Sequence, residues 1–191
     1  MIPTFKREPK LNRLLLSILD SNIQMYEIIV VDDSQSPTRI DERVYRSLGQ
    51  RFRYIHNSPR RFISTAKNIG WRAAGGEYIF FVDDDNVLPE DTAGLLSEEL
   101  DRDQKIGALM PAVYYEKRRQ LVWVYSAPFQ KGRWKFNLIG RNTTESQKPK
   151  ELFMPTDALP NASMVRKKFW RRLEDWMKIF RSTVRATSAR E

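Results

Sequence analysis

Apolar residues recur along the first half of the chain with two different periods, and the alternation of those periods predicts a layered α/β arrangement. Residues 8–20, EPKLNRLLLSILD, place Leu11, Leu14, Leu15 and Ile18 at helical spacing, with Pro9 near the start, where a missing N–H costs little. YEIIVVDDS follows, a run rich in β-branched residues that closes in acids and serine, as a strand covered on both faces reads. RIDERVYRSLG predicts a helix stopped at Gly49, and RFRYIHN a short strand. ISTAKNIGWRAAGG predicts a helix with Ile63, Ala66, Ile69 and Ala73 on one face, a Ser-Thr start and a Gly-Gly stop. EYIFFVDD is another buried strand, Pro89-Glu90-Asp91 opens a helix to about Asp103, and IGALMPAVYY makes one further strand. Strands and helices therefore alternate over residues 1–112, the pattern of a mostly parallel central sheet with helices on both faces. Ligands of such sheets sit beyond the carboxyl ends of the strands.

After Tyr114 the texture changes. QLVWVYSAPF and GRWKFNLIG read as antiparallel strands, and RNTTESQKPKE as a polar loop expected to be mobile. The expected organisation is one α/β domain over residues 1–168, with the alternating half at 1–112 and a smaller antiparallel portion at 113–168. Residues 169–191 form a basic tail.

Composition narrows the chemistry. The 191 residues, 41% of them hydrophobic and 12% aromatic, suffice for one sizeable core. Cysteine is absent, which excludes disulfides, thiolate metal sites and a cysteine nucleophile. The single histidine, His56, ends a strand-like FRYI and is expected to be structural or solvent-facing. No apolar run approaches the roughly 18 residues of a membrane span, and no secretory leader is evident. A soluble, cytoplasmic protein is expected, with peripheral contact at the cytoplasmic membrane face still open.

The formal net charge of +9 suggests a polyanionic partner until its distribution is considered. Residues 166–191 carry nine Lys or Arg against three acids, so the other 165 residues hold only +3. The body is mildly basic, and nucleic acid is a disfavoured partner. KKFWRR in the tail keeps it as a third alternative.

Carboxylates are then the reactive groups to consider. Asp32 and Asp33 end the second strand, and Asp83, Asp84 and Asp85 end the fourth, so a parallel sheet brings five acids to one edge. A single aspartate there reads as a turn cap. Five together call for compensation by a cation, hydrogen bonds or solvent. On an extended chain Asp83 and Asp85 project to one side and Asp84 to the other, so one pair can share a hard divalent ion.

Several blocks occur in a recognisable order: IPTFKRE, EIIVVDDS, STAKNIG, FFVDDDNVLPED and LPNASMVRK. Together, over residues 2–168, they resemble the family 2 inverting nucleotide-sugar glycosyltransferases of the GT-A (Rossmann-like) fold. The resemblance implies that Thr4 and Phe5 flank the nucleotide base and that Asp33 accepts a hydrogen bond from it. It sets Lys67, where the family usually has arginine, and Asn68 near the nucleotide and its phosphates. It sends Asp84 to the ribose and assigns Asp85, with Asp83, to Mg²⁺ or Mn²⁺ against the diphosphate. A nucleoside-diphosphate sugar is the implied donor, and a saccharide or lipid-linked molecule the implied acceptor. Transfer with inversion also implies a base for the acceptor hydroxyl, usually a carboxylate.

That base has no clear counterpart. The family's GG-F-D-E turn and following E-D motif are missing after MVRKK, and Glu174-Asp175 come too early, which leaves Asp175 a weak candidate. Asp175-Trp176-Met177-Lys178 must be encoded GAY-TGG-ATG-AAR, whose last-base register reads Leu-Asp-Glu. With permitted codons elsewhere, that register comes close to the missing segment. An out-of-frame tail is therefore the expectation, against an amphipathic helix built on Phe169, Leu173, Trp176 and Phe180. The first strand is likewise expected to begin several apolar residues before IPT. The implied function is a glycosyltransferase, inactive if the base is lost, and the alternative is a non-catalytic nucleotide-sugar-binding fragment.

Overall fold

A computed structural model describes residues 1–20, 26–89, 91–151 and 153–170. Three strands, β1 (Ile2–Thr4), β2 (Ile28–Asp32) and β3 (Phe52–His56), pair in parallel in the order β1-β2-β3. Thr4 lies opposite Asp32, and Asp32 opposite His56, so the three carboxyl ends are level. β4 (Tyr78–Val82) runs along the free side of β1. There the Met1 amino group donates to the Phe80 carbonyl at 2.8 Å, and the Val82 N–H donates to the Met1 carbonyl at 3.1 Å. Burial lowers the pKa of that amine to about 5, against the opposing pull of Glu27.

The alternation of side chains along β2 distributes the core. Ile28 and Val30 pack with Leu11, Leu14 and Leu15 of α1 (Glu8–Leu19) and with Val44 and Leu48 of α2 (Glu42–Leu48). Ile29 and Val31 pack on the other face with Ala66 and Trp71 of α3 (Phe62–Ala73). Helices therefore cover both faces. Gly49 ends α2 where expected, at φ 51°, a conformation that a side chain would strain. In α3 the buried residues are Ala66, Gly70 and Trp71, whereas Ile63 is 56% exposed. The first turn of α3 stands beyond the sheet, so the expected stripe loses its first member.

IGALMPAVYY forms two strands rather than the expected one. β5 (Ala108–Leu109) and β6 (Val113–Tyr115) fall in different sheets, separated by a stretch holding Pro111, which has no N–H to donate to a ladder. β6 pairs antiparallel with β7 (Arg118–Val124), and β8 (Phe129–Gln130) with β9 (Lys135–Phe136). β10 (Ala162–Arg166) lies antiparallel between β4 and β5. The parallel portion thus ends at β4. α4 (Thr92–Arg102) covers this side through Leu96 and Leu100 against Met164.

Two polar residues are built into the frame. Arg166 is 1% exposed, and its guanidinium donates to the carbonyls of Ile106 at 3.0 Å, Asp103 at 3.3 Å and Leu100, and to the Tyr78 hydroxyl at 2.9 Å. Asp32, fully buried, accepts from the N–H groups of Ser34 and Thr38, each at 2.8 Å, and from the Tyr54 hydroxyl. Burial pushes its pKa up, but those hydrogen bonds outweigh it and hold the carboxyl below the ordinary range. Asp32→Asn places an amide against these donors and is expected to cost about 1–2 kcal/mol, read as a lower urea midpoint.

Beyond the expected boundary at 168, Trp170 packs on Phe81 with ring centroids 5.1 Å apart. Asp175 and residues 171–191 lie outside the described residues. Among those described, no helix is long and apolar enough to cross a membrane.

Candidate functional site

The parallel register gathers chemistry at one edge. One residue past the level of Thr4, Asp32 and His56 come Phe5, Asp33 and Asn57, and β4 delivers Asp83, Asp84 and Asp85 beside them. These carboxyl ends open into a cleft of about 420 Å³, walled by Thr4, Phe5, Asp33 and the three aspartates together with Arg7, Arg60, Ile63 and Asn161. A second cavity, about 270 Å³, lies at the opposite strand ends among apolar side chains such as Ile18, Ile28 and Phe80. Its lining is mostly apolar, so the polar cleft is the candidate site.

The acids of the cleft differ in their partners. Asp33 Oδ1 accepts from Asn57 Nδ2 at 2.7 Å, and Oδ2 from the Arg61 N–H at 3.3 Å. Asp84, 4% exposed, accepts the Thr4 hydroxyl at 2.7 Å on Oδ2 and Arg7 at 3.0 Å on Oδ1. Asp85 Oδ2 meets the same Arg7 nitrogen at 3.1 Å and Lys10 at 3.3 Å. The expected alternation of Asp83 and Asp85 against Asp84 is not what forms. β4 ends at Val82, and the chain turns, with the Asn86 N–H donating to the Asp83 carbonyl at 3.2 Å, so Asp84 and Asp85 converge on one guanidinium.

Asp83 is the exception. The Lys67 ammonium stands 3.6 Å from its Oδ1, within ion-pair but beyond hydrogen-bond reach, and that buried oxygen accepts no hydrogen bond. Burial pushes its pKa up, Lys67 pulls against this, and Asp85 adds to the rise. An orphaned, buried carboxylate oxygen near a second carboxylate is the donor set that a hard divalent ion completes, so Mg²⁺ or Mn²⁺ suits the residues present. No three acidic or histidine side chains among the described residues already converge as a cation cage. Positive groups of the chain itself, Arg7, Lys10 and Lys67, stand against these acids instead.

Lys67 thus reaches the cleft through Asp83. Asn68 is turned along α3, where its side-chain oxygen accepts the Trp71 indole N–H at 3.2 Å. His56 bonds the Ser34 carbonyl at 2.7 Å, a structural role. Arg7, Lys10, Arg60, Asn57 and Asn161 join the site without having been expected from the sequence. Arg60 lies 3.8 Å over the Phe5 ring, and Asn161 accepts the Asp83 N–H at 3.0 Å through its carbonyl. Arg7 was visible inside IPTFKRE as a cation shortly before a helix, but its carboxylate partners are 77 and 78 positions away.

The titration of Asp83 gives a signed expectation. A carboxyl raised above its ordinary 3.8 stabilises the fold fully below that value, and the contribution is lost as pH rises through the raised pKa. A cation binds only the ionised form. If Mn²⁺ binds at Asp83, the rise in Tm it produces should therefore be absent at low pH and grow through this window, which calorimetric scans at several pH values would read.

A parallel sheet continued by β4, with antiparallel β10 lying between β4 and β5, defines the GT-A class of α/β protein. The solved structure of Staphylococcus aureus TarS 1-349 superposes with TM-score 0.60 at 16% identity, over 91% of this chain and 48% of that one. The mannosyltransferase PcManGT of Pyrobaculum calidifontis, solved with GDP-Man and Mn²⁺, gives 0.55 at 16% identity over 90% and 45%. At that identity the likeness concerns the fold. The family model of glycosyl transferase family 2 matches residues 1–173, and the chain belongs to this family. The uncharacterized glycosyltransferase EpsJ of Bacillus subtilis (strain 168) is 33% identical over 106 residues, 54% of this chain and 30% of that protein. The match thus spans about a third of that relative and about half of each solved chain.

Proposed function

We propose that the cleft binds a nucleoside-diphosphate sugar together with Mg²⁺ or Mn²⁺, and that the whole protein transfers the sugar, with inversion, to a hydroxyl of a saccharide or lipid-linked acceptor. The observation that carries this is the buried Asp83 Oδ1, which accepts no hydrogen bond, in a cleft that also holds Asp84, Asp85, Arg7 and an aromatic face at Phe5. Family membership and the GDP-Man and Mn²⁺ bound to the mannosyltransferase of the same fold support it.

Phe5, with Arg60 over it, offers a stacking face for the base, and Asp33 offers carboxylate oxygens to its N–H groups. Asp84, held by Thr4 and Arg7, is fixed for a ribose hydroxyl. Asp83 and Asp85 would hold the cation, which supplies positive charge to the departing diphosphate. Lys67 and Arg7 add charge on the protein's side. The carboxylates at the strand ends are engaged in this donor half, so the base for the acceptor hydroxyl belongs elsewhere in the protein. This reading sets the protein in the cytoplasm, at the membrane face if the acceptor is lipid-linked.

Calorimetry with UDP- and GDP-sugars, with and without Mn²⁺, followed by a product assay, tests the proposal. Cation-dependent binding with product supports transfer. Binding without product leaves a nucleotide-sugar-binding fragment, and no binding of either donor removes the proposal.

A further inference from the structure

We infer that Arg7 is a built-in competitor for the divalent cation: it bridges Asp84 and Asp85 while the donor is absent, and releases Asp85 to take up the diphosphate when cation and donor arrive. The inference rests on the donor-site assignment above and adds to it a residue whose partner changes.

One guanidinium nitrogen of Arg7 lies 3.0 Å from Asp84 Oδ1 and 3.1 Å from Asp85 Oδ2, so a single charge serves two carboxylates that have different neighbours. Asp84 is 6% exposed at its side chain and keeps the buried Thr4 hydroxyl on its other oxygen. Asp85 is 37% exposed, and its further contact is Lys10, itself half exposed. The Asp84 contact is thus the fixed end of the bridge and the Asp85 contact the loose end. An Asp85 oxygen that binds Arg7 and Lys10 cannot also meet a cation at coordination distance, because like charges would then crowd one oxygen. At Asp83 the conflict is weaker, since its Oδ1 has no hydrogen-bond donor and its cation, Lys67, stands farther off at 3.6 Å.

The side chain of Arg7 is 50% exposed and lines the cleft, so a phosphate entering the cleft can reach it. A guanidinium freed from Asp85 presents several N–H groups in a planar fork that matches phosphate oxygens, as lysine cannot. Exchange of a carboxylate for a diphosphate keeps the site near charge balance as a dianionic group enters. A cation alone would then bind weakly and a nucleotide alone would bind weakly, because each has to displace Arg7 without the other's help. Together they would bind cooperatively.

Arg7→Met separates this from a merely structural role because it moves two affinities in opposite directions. In the full chain, titration with Mn²⁺ alone, followed by calorimetry or by the paramagnetic signal of free Mn²⁺, should show binding about tenfold tighter in Arg7→Met than in the unaltered protein. The affinity for UDP or GDP at saturating Mn²⁺ should fall about tenfold or more. Arg7→Lys should recover part of the nucleotide affinity. Thermal scans of each variant check that it is folded.

Weaker Mn²⁺ binding in Arg7→Met, or unchanged affinity for both ligands, overturns the inference while leaving the donor site in place. Binding of neither Mn²⁺ nor nucleotide by any of the three proteins overturns the donor site, and this inference with it.

Discussion

Asp83→Ala is expected to lower the Mn²⁺-dependent affinity for a nucleoside-diphosphate sugar by about 100-fold or more, to the edge of detection by calorimetry, and Asp85→Ala to do nearly the same. The two differ in what remains. Loss of Asp83 removes a buried oxygen that no hydrogen bond satisfies, and the fold gives up one partly exposed ion pair, with Lys67 left facing the cleft without its partner. Stability should hold or rise slightly, because burial had disfavoured the charged form of Asp83. Loss of Asp85 frees Lys10 and one contact of Arg7, both at exposed positions where ion pairs contribute little. Donor affinity that is unchanged in both variants would refute the site. A loss of affinity that parallels a loss of Tm would point to a scaffold role instead.

The other large effect concerns folding. Arg166→Met should destabilise the chain by about 3–5 kcal/mol, enough to remove much of the stability of a domain of this size. The guanidinium is buried and donates to three carbonyls from the end of α4 and the loop after it, and to the Tyr78 hydroxyl on β4. Methionine fills similar volume but leaves those acceptors without donors, each at a cost of about 1–3 kcal/mol where water cannot reach. Urea denaturation followed by circular dichroism reads the change. A shift below about 1 kcal/mol would show that water satisfies the carbonyls and that Arg166 is not the pin between β10 and α4.

Both effects depend on strand ends and on β10, and the two were unequally visible in the residue pattern. EIIVVDDS and EYIFFVDDD announced buried strands that end in acids, because a strand covered on both faces must be continuously apolar and because charge can begin only where cover stops. The helices α1, α2 and α3 were legible for a similar reason, as their spacing is local. Pairing is not local. The strand that separates β4 from β5 comes from residues 162–166, and nothing in ASMVR names its neighbours or its antiparallel direction. The split of IGALMPAVYY depends on the same partner: β5 stops where β10 ceases to pair with it.

At the site, residue type was legible and geometry was not. Asp83, Asp84 and Asp85 line the cleft at the strand ends, but strand alternation gave them the wrong partition because a turn follows Val82 at once. Asn68 is adjacent to Lys67 in the chain, yet a helix rotates successive residues by about 100°, so one reaches Asp83 and the other Trp71.

The linear order of apolar and charged residues determined that this chain would form a layered α/β domain with anionic groups at the carboxyl ends of its strands, because burial and local periodicity act over a few neighbouring positions. Only the tertiary structure decided which cation faces which carboxylate, and that one oxygen of Asp83 would have no hydrogen-bond donor. Those facts depend on side chains some 16 to 78 positions apart meeting across a few ångströms, a distance the chain order does not encode.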